Sequence, residues 1–150
     1  MAPNEQVVVA RWIEIGMRIG FALGNQQLIG ALFKVKDSYN VDRLAQTAAE
    51  AAFRDQAYLR KTAARIKATR RRLTQTLERW GWEVLPSAAN FVFARPAGIA
   101  ATEVFARLRK KKVLVRHFPG AKTGRFIRIS VGTDKEIDFL LNALQAILRN

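Results

Sequence analysis

The sequence predicts an α+β fold of the α/β family, in which helices pack on a small β-sheet. From about residue 41 onward, the hydrophobic pattern gives the order helix, helix, two strands, helix, two strands, helix. The length of 150 residues suits a compact domain, and 49% hydrophobic residues with nine Phe and three Trp indicate a globular protein. No internal repeat or low-complexity tract interrupts this order.

The composition argues against several classes of protein. No run of about eighteen apolar residues is present, and the N-terminal MAPNEQ lacks a signal-peptide pattern, so neither a membrane span nor export is predicted. The absence of cysteine excludes disulfides and thiolate chemistry. His117 is the single histidine, so no metal site is predicted. Together these absences predict a cytoplasmic protein.

The first 24 residues predict two strands that do not obviously belong to the later sheet. Residues 6–11 form a continuous apolar run, as in a strand buried on both faces. Residues 16–24, GMRIGFALG, form a second strand-like segment, and residues 12–15 are expected to connect the two. Two hydrophobic strands without neighbours suggest the edge of a larger sheet.

Three helices are predicted next, each from a capping residue and a helical apolar spacing. The predicted caps are Asn25, Asn40 and Asp55, and the helices they begin end near residues 36, 54 and 80. Gly81 is placed to end the third helix in the left-handed conformation.

After Gly81 the sequence pattern becomes typical of strands again. Residues 82–85 and 90–94 are strand-like, and a helix is predicted from about residue 101 to residue 111. Thr133 and Glu136 have the spacing of a capping box, which predicts a last helix ending near residue 148.

Two strands with one arginine each carry the main functional signal. Residues 113–116, VLVR, end in Arg116, and residues 126–131, FIRISV, contain Arg128. An arginine among apolar strand residues is costly to bury without an anion, and its planar fork binds a carboxylate or phosphate at two points. The two arginines could therefore hold both ends of a small dianionic molecule. The alternative is that both face solvent or pair with Asp or Glu.

The net charge of +14 raises the alternative of a partner such as nucleic acid or another polyanion. The basic residues cluster at 60–72 and at 107–112, both on predicted amphipathic helices, where a solvated face is the ordinary interpretation. No base-stacking aromatics are interleaved with the first cluster. Nucleic acid is therefore not the expected partner.

Three segments together resemble one family. They are GMRIGFALG, KVKDSYNVDRLAQTAAEAAF, and the series SAANFVFA, VLVRHF and FIRISVGT, in this order. They resemble the C-terminal part of histidinol-phosphate aminotransferases, which are fold-type-I enzymes dependent on pyridoxal phosphate (PLP). The resemblance covers roughly residues 16–148. It implies that residues 41–150 are the small C-terminal domain and residues 1–40 a remnant of the large PLP-binding domain.

The resemblance also implies an activity and its site residues. The family transfers an amino group between histidinol phosphate and 2-oxoglutarate in histidine biosynthesis, generally as a homodimer. Arg18 would contact the PLP phosphate, and Arg128 would grip the substrate's α-carboxylate. Arg116 would lie with the phosphate end of the substrate.

One departure from the family pattern concerns the lysine that forms the Schiff base. The family places it in a Ser-Lys segment between the two N-terminal strands. Here the connection at residues 12–15 is about five residues too short for the motif and has no lysine, and Lys34 and Lys36 lie downstream. Transamination requires that amine. We therefore predict no catalytic residue, no retention of PLP and no activity in this chain alone. The alternatives are a polyanion-binding module or an interaction partner of an aminotransferase, both without catalysis.

Overall fold

A computed structural model describes residues 8–14 and 19–149 of the chain, with side chains described from residue 19 onward except for residues 21–23. The contacts divide at residue 60 into two compact units, each described separately below. The domain boundary after residue 40, which the resemblance implies, stays a prediction. Among the described residues, no helix combines the length and apolar character needed to cross a bilayer.

The first unit contains two strands and two helices. These are β1 (Val8–Glu14), β2 (Ile19–Leu23), α1 (Gln26–Val35) and α2 (Arg43–Arg54). Both expected strands are present, although residues 6, 7 and 16–18 of the predicted segments lie outside the described residues, and the two strands pair with each other in antiparallel fashion. The sequence predicts that residues 12–15 connect the two strands. This is wrong for residues 12–14, which belong to β1: Trp12 pairs with Gly20, and Glu14 pairs with Ile19. Trp and Ile favour extended backbone, so the strand continues through this segment.

The helices of the first unit begin at side-chain caps. The side chain of Asn25 accepts a hydrogen bond of 2.7 Å from the backbone N–H of Leu28, as predicted. The prediction of Asn40 as the cap of α2 is wrong. Asp42 caps that helix, accepting a 2.9 Å hydrogen bond from the backbone N–H of Ala45. The side chain of Asn40 instead accepts a hydrogen bond from the ammonium group of Lys36.

A long helix, α3 (Gln56–Arg79), begins where Asp55 accepts a hydrogen bond from the backbone N–H of Tyr58, as expected. It ends before Gly81, whose φ of 78° is the predicted left-handed conformation. The second unit then contains β3 (Glu83–Leu85), β4 (Phe91–Arg95), α4 (Ala101–Lys110), β5 (Arg116–His117), β6 (Ile127–Ser130) and α5 (Asp134–Leu148). Its four strands form an antiparallel sheet in the order β3-β4-β6-β5, which confirms the predicted α+β fold.

The predicted strand at residues 113–116 is wrong in its bounds, because only Arg116 belongs to β5. The reason is the end of α4, where Lys112 adopts a φ of 61° and the N–H of Val113 donates a 3.0 Å hydrogen bond to the carbonyl of Leu108. Val113 thus helps to close the helix and cannot begin a strand.

One face of the sheet forms the hydrophobic core. Val92, Ala94, Ile127 and Ile129 are each at most 2% exposed and belong to one cluster with residues of α3, α4 and α5. Successive strand residues point to opposite faces. Phe91, Phe93 and Arg128 therefore lie on the other face of β4 and β6, away from these helices.

The capping box of α5 forms as predicted. Both the backbone N–H and the hydroxyl of Thr133 donate hydrogen bonds to the carboxylate of Glu136, at 2.7 and 2.8 Å. These bonds favour the charged carboxylate, so they lower the pKa of Glu136 below its ordinary value of 4.5. A lowered pKa in the folded state means that the ionised group stabilises the fold above its unfolded pKa and that this contribution is lost as pH falls through the folded pKa.

We expect Glu136→Gln to lower the melting temperature at neutral pH, because it removes this charge but keeps an acceptor. The difference from wild type should shrink as the pH falls below 4.5 and Glu136 becomes protonated. Thermal melts across this pH range measure it. The matched control is Glu78→Gln on α3, which removes an exposed carboxylate outside the capping box. A difference between wild type and Glu136→Gln that does not change with pH would contradict the prediction.

Candidate anion-binding site

The two predicted arginines are direct neighbours across the sheet. In the β5–β6 pairing, Arg116 lies opposite Arg128, which lies opposite Phe93 of β4 on its other side. Residues directly opposite each other in antiparallel strands project from the same face, with Cα atoms about 4.5–5.5 Å apart. The structure therefore brings together the two arginines that the sequence singled out. We call Arg116 and Arg128 the arginine pair.

Aromatic rings surround the arginine pair. The Cζ atom of Arg128 lies 5.2 Å from the ring centroid of Phe91 and 5.3 Å from that of Phe118. The Cζ atom of Arg116 lies 5.8 Å from the same Phe118 ring. The two guanidinium carbons are therefore at most about 11 Å apart, the sum of their distances to the shared ring. These are cation–π distances, so aromatic faces help to orient both charged groups.

The arginine pair has no acidic partner among the described residues. The ion pairs of that part of the chain involve Arg54, Arg72, Arg95 and Arg107. This excludes, within the described residues, the alternative in which Arg116 and Arg128 pair with Asp or Glu. Arg128 is half-buried and Arg116 is exposed. Like charges directly opposite each other across a sheet are destabilising, and a bound anion would offset that repulsion.

The loop between β5 and β6 is held by its own hydrogen bonds. The hydroxyl of Thr123 donates to the carbonyl of Phe118 at 2.9 Å, and Nε2 of His117 donates to the carbonyl of Gly124 at 2.7 Å. A Cβ atom at Gly124 would lie 2.8 Å from the carbonyl oxygen of Gly120, so this position requires glycine. The loop thus holds Phe118 beside the arginine pair.

Sequence reasoning missed the aromatic residues of the site. Phe126, which is buried, stacks on Phe93 with centroids 4.9 Å apart, and it lies two residues before Arg128. Phe118 lies two residues after Arg116. Because strand residues alternate between faces, a spacing of two beside each arginine was the available signal.

The residues present do not fit a covalently held PLP. Arg18, the expected contact of the cofactor phosphate, lies outside the described residues. All nine lysines of the chain are described, and each is exposed. The ammonium group of Lys36 donates to the carbonyls of Asp37 and Tyr39 and to the side chain of Asn40. Desolvation in a pocket is one way in which a Schiff-base lysine is activated, and no lysine here is enclosed.

Part of the basic run on α3 joins elements of the second unit. Arg70 donates to the carbonyl of Ala89, and Arg72 pairs with Asp138 at 2.5 Å and with Asp134 at 3.4 Å. The hydrogen bond with Asp138 is the main cause that raises the pKa of Arg72. The remaining basic residues of this run are exposed, which agrees with a solvated face.

Comparison with known proteins gives the family of the chain. The family described as Aminotransferase class I and II matches residues 15–144. Histidinol-phosphate aminotransferase 1 of Bordetella parapertussis is 49% identical over an alignment of 135 positions that covers 88% of this chain and 38% of that protein. Histidinol-phosphate aminotransferase 2 of Thiobacillus denitrificans is 44% identical over an alignment of 156 positions, gaps included, that covers 98% of this chain and 44% of that protein. The chain therefore spans less than half the length of these curated relatives.

Solved structures agree. The histidinol-phosphate aminotransferase from Sinorhizobium meliloti, in complex with pyridoxal-5'-phosphate, superposes with a TM-score of 0.75 at 33% identity, over 89% of this chain and 37% of that one. The histidinol-phosphate aminotransferase from Clostridium acetobutylicum also superposes with a TM-score of 0.75, at 27% identity, over 88% of this chain and 41% of its own chain. These names give no support to the polyanion-binding or interaction-module alternatives. The fold is that of fold-type-I PLP-dependent aminotransferases, and the chain belongs to the class I and II aminotransferase family.

Proposed function

We propose that this chain is a histidinol-phosphate aminotransferase-like protein that binds the anionic groups of the substrate and does not catalyse transamination by itself. The observation that carries the proposal is the arginine pair, aligned across two strands, in contact with a shared aromatic ring and without an acidic partner among the described residues. The names of the relatives support amino-group transfer as the reaction of the family.

The arginine pair suits a small molecule with two anionic groups. Each guanidinium offers a planar set of N–H donors that can bind a carboxylate or phosphate at two points. Arg128 would take the α-carboxylate, because it is half-buried and contacts two rings, which restrict its orientation. Arg116, which is exposed, would take the other anionic end. The 2-oxoglutarate of the family reaction has two carboxylates and serves as the test ligand.

The proposal that catalysis is absent rests on the lysines. PLP supplies an electron sink for amino-group transfer, and the enzymes that use it need a lysine amine to hold the cofactor and to move a proton. Every lysine of this chain is exposed, and the segment between β1 and β2 contains none. Arg18 as the contact of the cofactor phosphate, and a homodimer as the assembly, stay predictions from the resemblance.

Two experiments test the two parts of the proposal. We expect calorimetry with 2-oxoglutarate to show saturable binding in the absence of PLP, because the arginine pair does not require the cofactor. We expect equimolar PLP followed by borohydride to label no single lysine in preference to the others, as read by peptide mass mapping. Chloride at the same ionic strength is the control for non-specific charge neutralisation.

Two outcomes would contradict the proposal. A heat of mixing with 2-oxoglutarate equal to that of the salt control would show that the arginine pair binds no diacid. Stoichiometric labelling of one mapped lysine, together with amino transfer to 2-oxoglutarate, would show that the chain keeps the chemistry of the family.

A further inference from the structure

Phe118 is the side chain that the two arginines share. Its ring centroid lies 5.8 Å from Cζ of Arg116 and 5.3 Å from Cζ of Arg128. Arg128 also contacts the ring of Phe91, whereas Phe118 provides the cation–π contact of Arg116 among the described residues. Loss of the Phe118 ring would therefore affect the two guanidinium groups unequally.

The position of Phe118 depends on the loop more than on the sheet. Strand β5 ends at His117, so Phe118 lies just past the paired residues. The carbonyl of Phe118 accepts a hydrogen bond from the hydroxyl of Thr123, and Nε2 of the preceding His117 donates a hydrogen bond to the carbonyl of Gly124. The N–H of Gly124 in turn donates to the carbonyl of Gly120 at 2.8 Å. The backbone beside the ring is thus held at several points, which limits where the ring can move.

We infer that Phe118 is a positioning residue that holds the two guanidinium groups at a fixed separation, so that the site prefers a ligand with two anionic groups over a ligand with one. The inference rests on the proposed function of the arginine pair. A diacid must meet both guanidinium groups at once, so its affinity depends on their separation. A monoacid bound at Arg128 does not need Arg116, and Phe91 still orients Arg128 when Phe118 is absent.

The test compares two ligands on one set of full-length variants. The ligands are 2-oxoglutarate and 2-oxobutyrate, which share the 2-oxo acid group and differ in the second carboxylate. The variants are Phe118→Leu, which removes the ring, Phe118→Tyr, which keeps it, and Phe139→Leu, which changes an exposed Phe of α5. Dissociation constants come from calorimetry, and thermal melts report whether each variant folds.

We expect Phe118→Leu to reduce the preference for the diacid by about fivefold, the size expected for loss of a partly exposed cation–π contact. Phe118→Tyr and Phe139→Leu should keep the wild-type preference. A residue that only supports the fold would change both affinities together, so the ratio distinguishes positioning from structural support. If Phe118→Leu does not melt cooperatively, Phe118→Met, which keeps an apolar side chain without a ring, replaces it in the same comparison.

The outcomes separate this inference from the proposed function. An unchanged ratio in a folded ring-less variant, with diacid binding intact in wild type, overturns the positioning role and leaves the arginine pair as the binding site. No diacid binding in wild type overturns the proposed function and the positioning role together.

Discussion

Replacing Arg128 by alanine should weaken 2-oxoglutarate binding by about a hundredfold. A hydrogen bond to a charged group contributes roughly 1.5–3 kcal/mol, and the fork of Arg128 can make two such bonds to one carboxylate. Arg128 is half-buried and contacts Phe91 and Phe118, so its guanidinium is already oriented before the ligand arrives. Arg116 is exposed, where an ion pair contributes about 0.2–1 kcal/mol, and we expect Arg116→Ala to weaken binding less, by up to about fivefold.

Two further variants separate geometry from charge. Arg128→Lys keeps the positive charge but loses the planar fork, so its affinity should lie between wild type and Arg128→Ala. Arg109→Ala removes an exposed arginine of α4 and controls for the loss of net charge. Calorimetric titration at fixed ionic strength gives each dissociation constant. If Arg128→Ala binds within twofold of Arg109→Ala, the carboxylate is not held by Arg128.

The sequence predicts much of the fold because several determinants are local. Asn25, Asp55 and Thr133 each cap a helix through a side-chain bond to the N–H three residues later, and that spacing is visible in the sequence. Asn40 has the right residue type but its side chain is taken by Lys36. Which of Asn40 and Asp42 caps α2 therefore depends on the contacts of the preceding turn. Residue preferences at helix caps do not take such contacts into account.

The candidate site also has one part that the sequence predicts and one part that it does not. Arg116 and Arg128 stand out in the sequence because each adjoins β-branched residues of a strand, where a charge is costly to bury. Their register across β5 and β6 depends on the conformation of the intervening loop, which includes the close approach of Gly124 to Gly120. Propensity does not determine such a loop. The spacing of two places Phe118 near Arg116, but its contact with Arg128 depends on the conformation of this loop.

Replacing Leu144 by alanine should strongly lower the stability of the core that supports this site. Leu144 of α5 is 0% exposed and belongs to the cluster that includes Val92, Ile127 and Ile129 on the inner face of the sheet. Truncation of a buried leucine to alanine costs about 2–5 kcal/mol, through lost transfer energy and the cavity left behind. A domain is typically stable by only about 5–15 kcal/mol, so Leu144→Ala should remove much of the stability.

The matched control is Leu114→Ala, which makes the same chemical change at a side chain that is 85% exposed. Surface substitutions usually change stability by about 0.5 kcal/mol or less, so its unfolding midpoint in urea should stay near that of wild type. The arginine pair lies on the opposite face of the sheet from Leu144. The substitution lowers stability but leaves both guanidinium groups in place. Leu144→Ala should therefore bind 2-oxoglutarate with the wild-type affinity when it is measured without urea, at a temperature at which the variant is folded. Equal midpoints for the two leucine variants would show that the helices do not bury this face of the sheet as described.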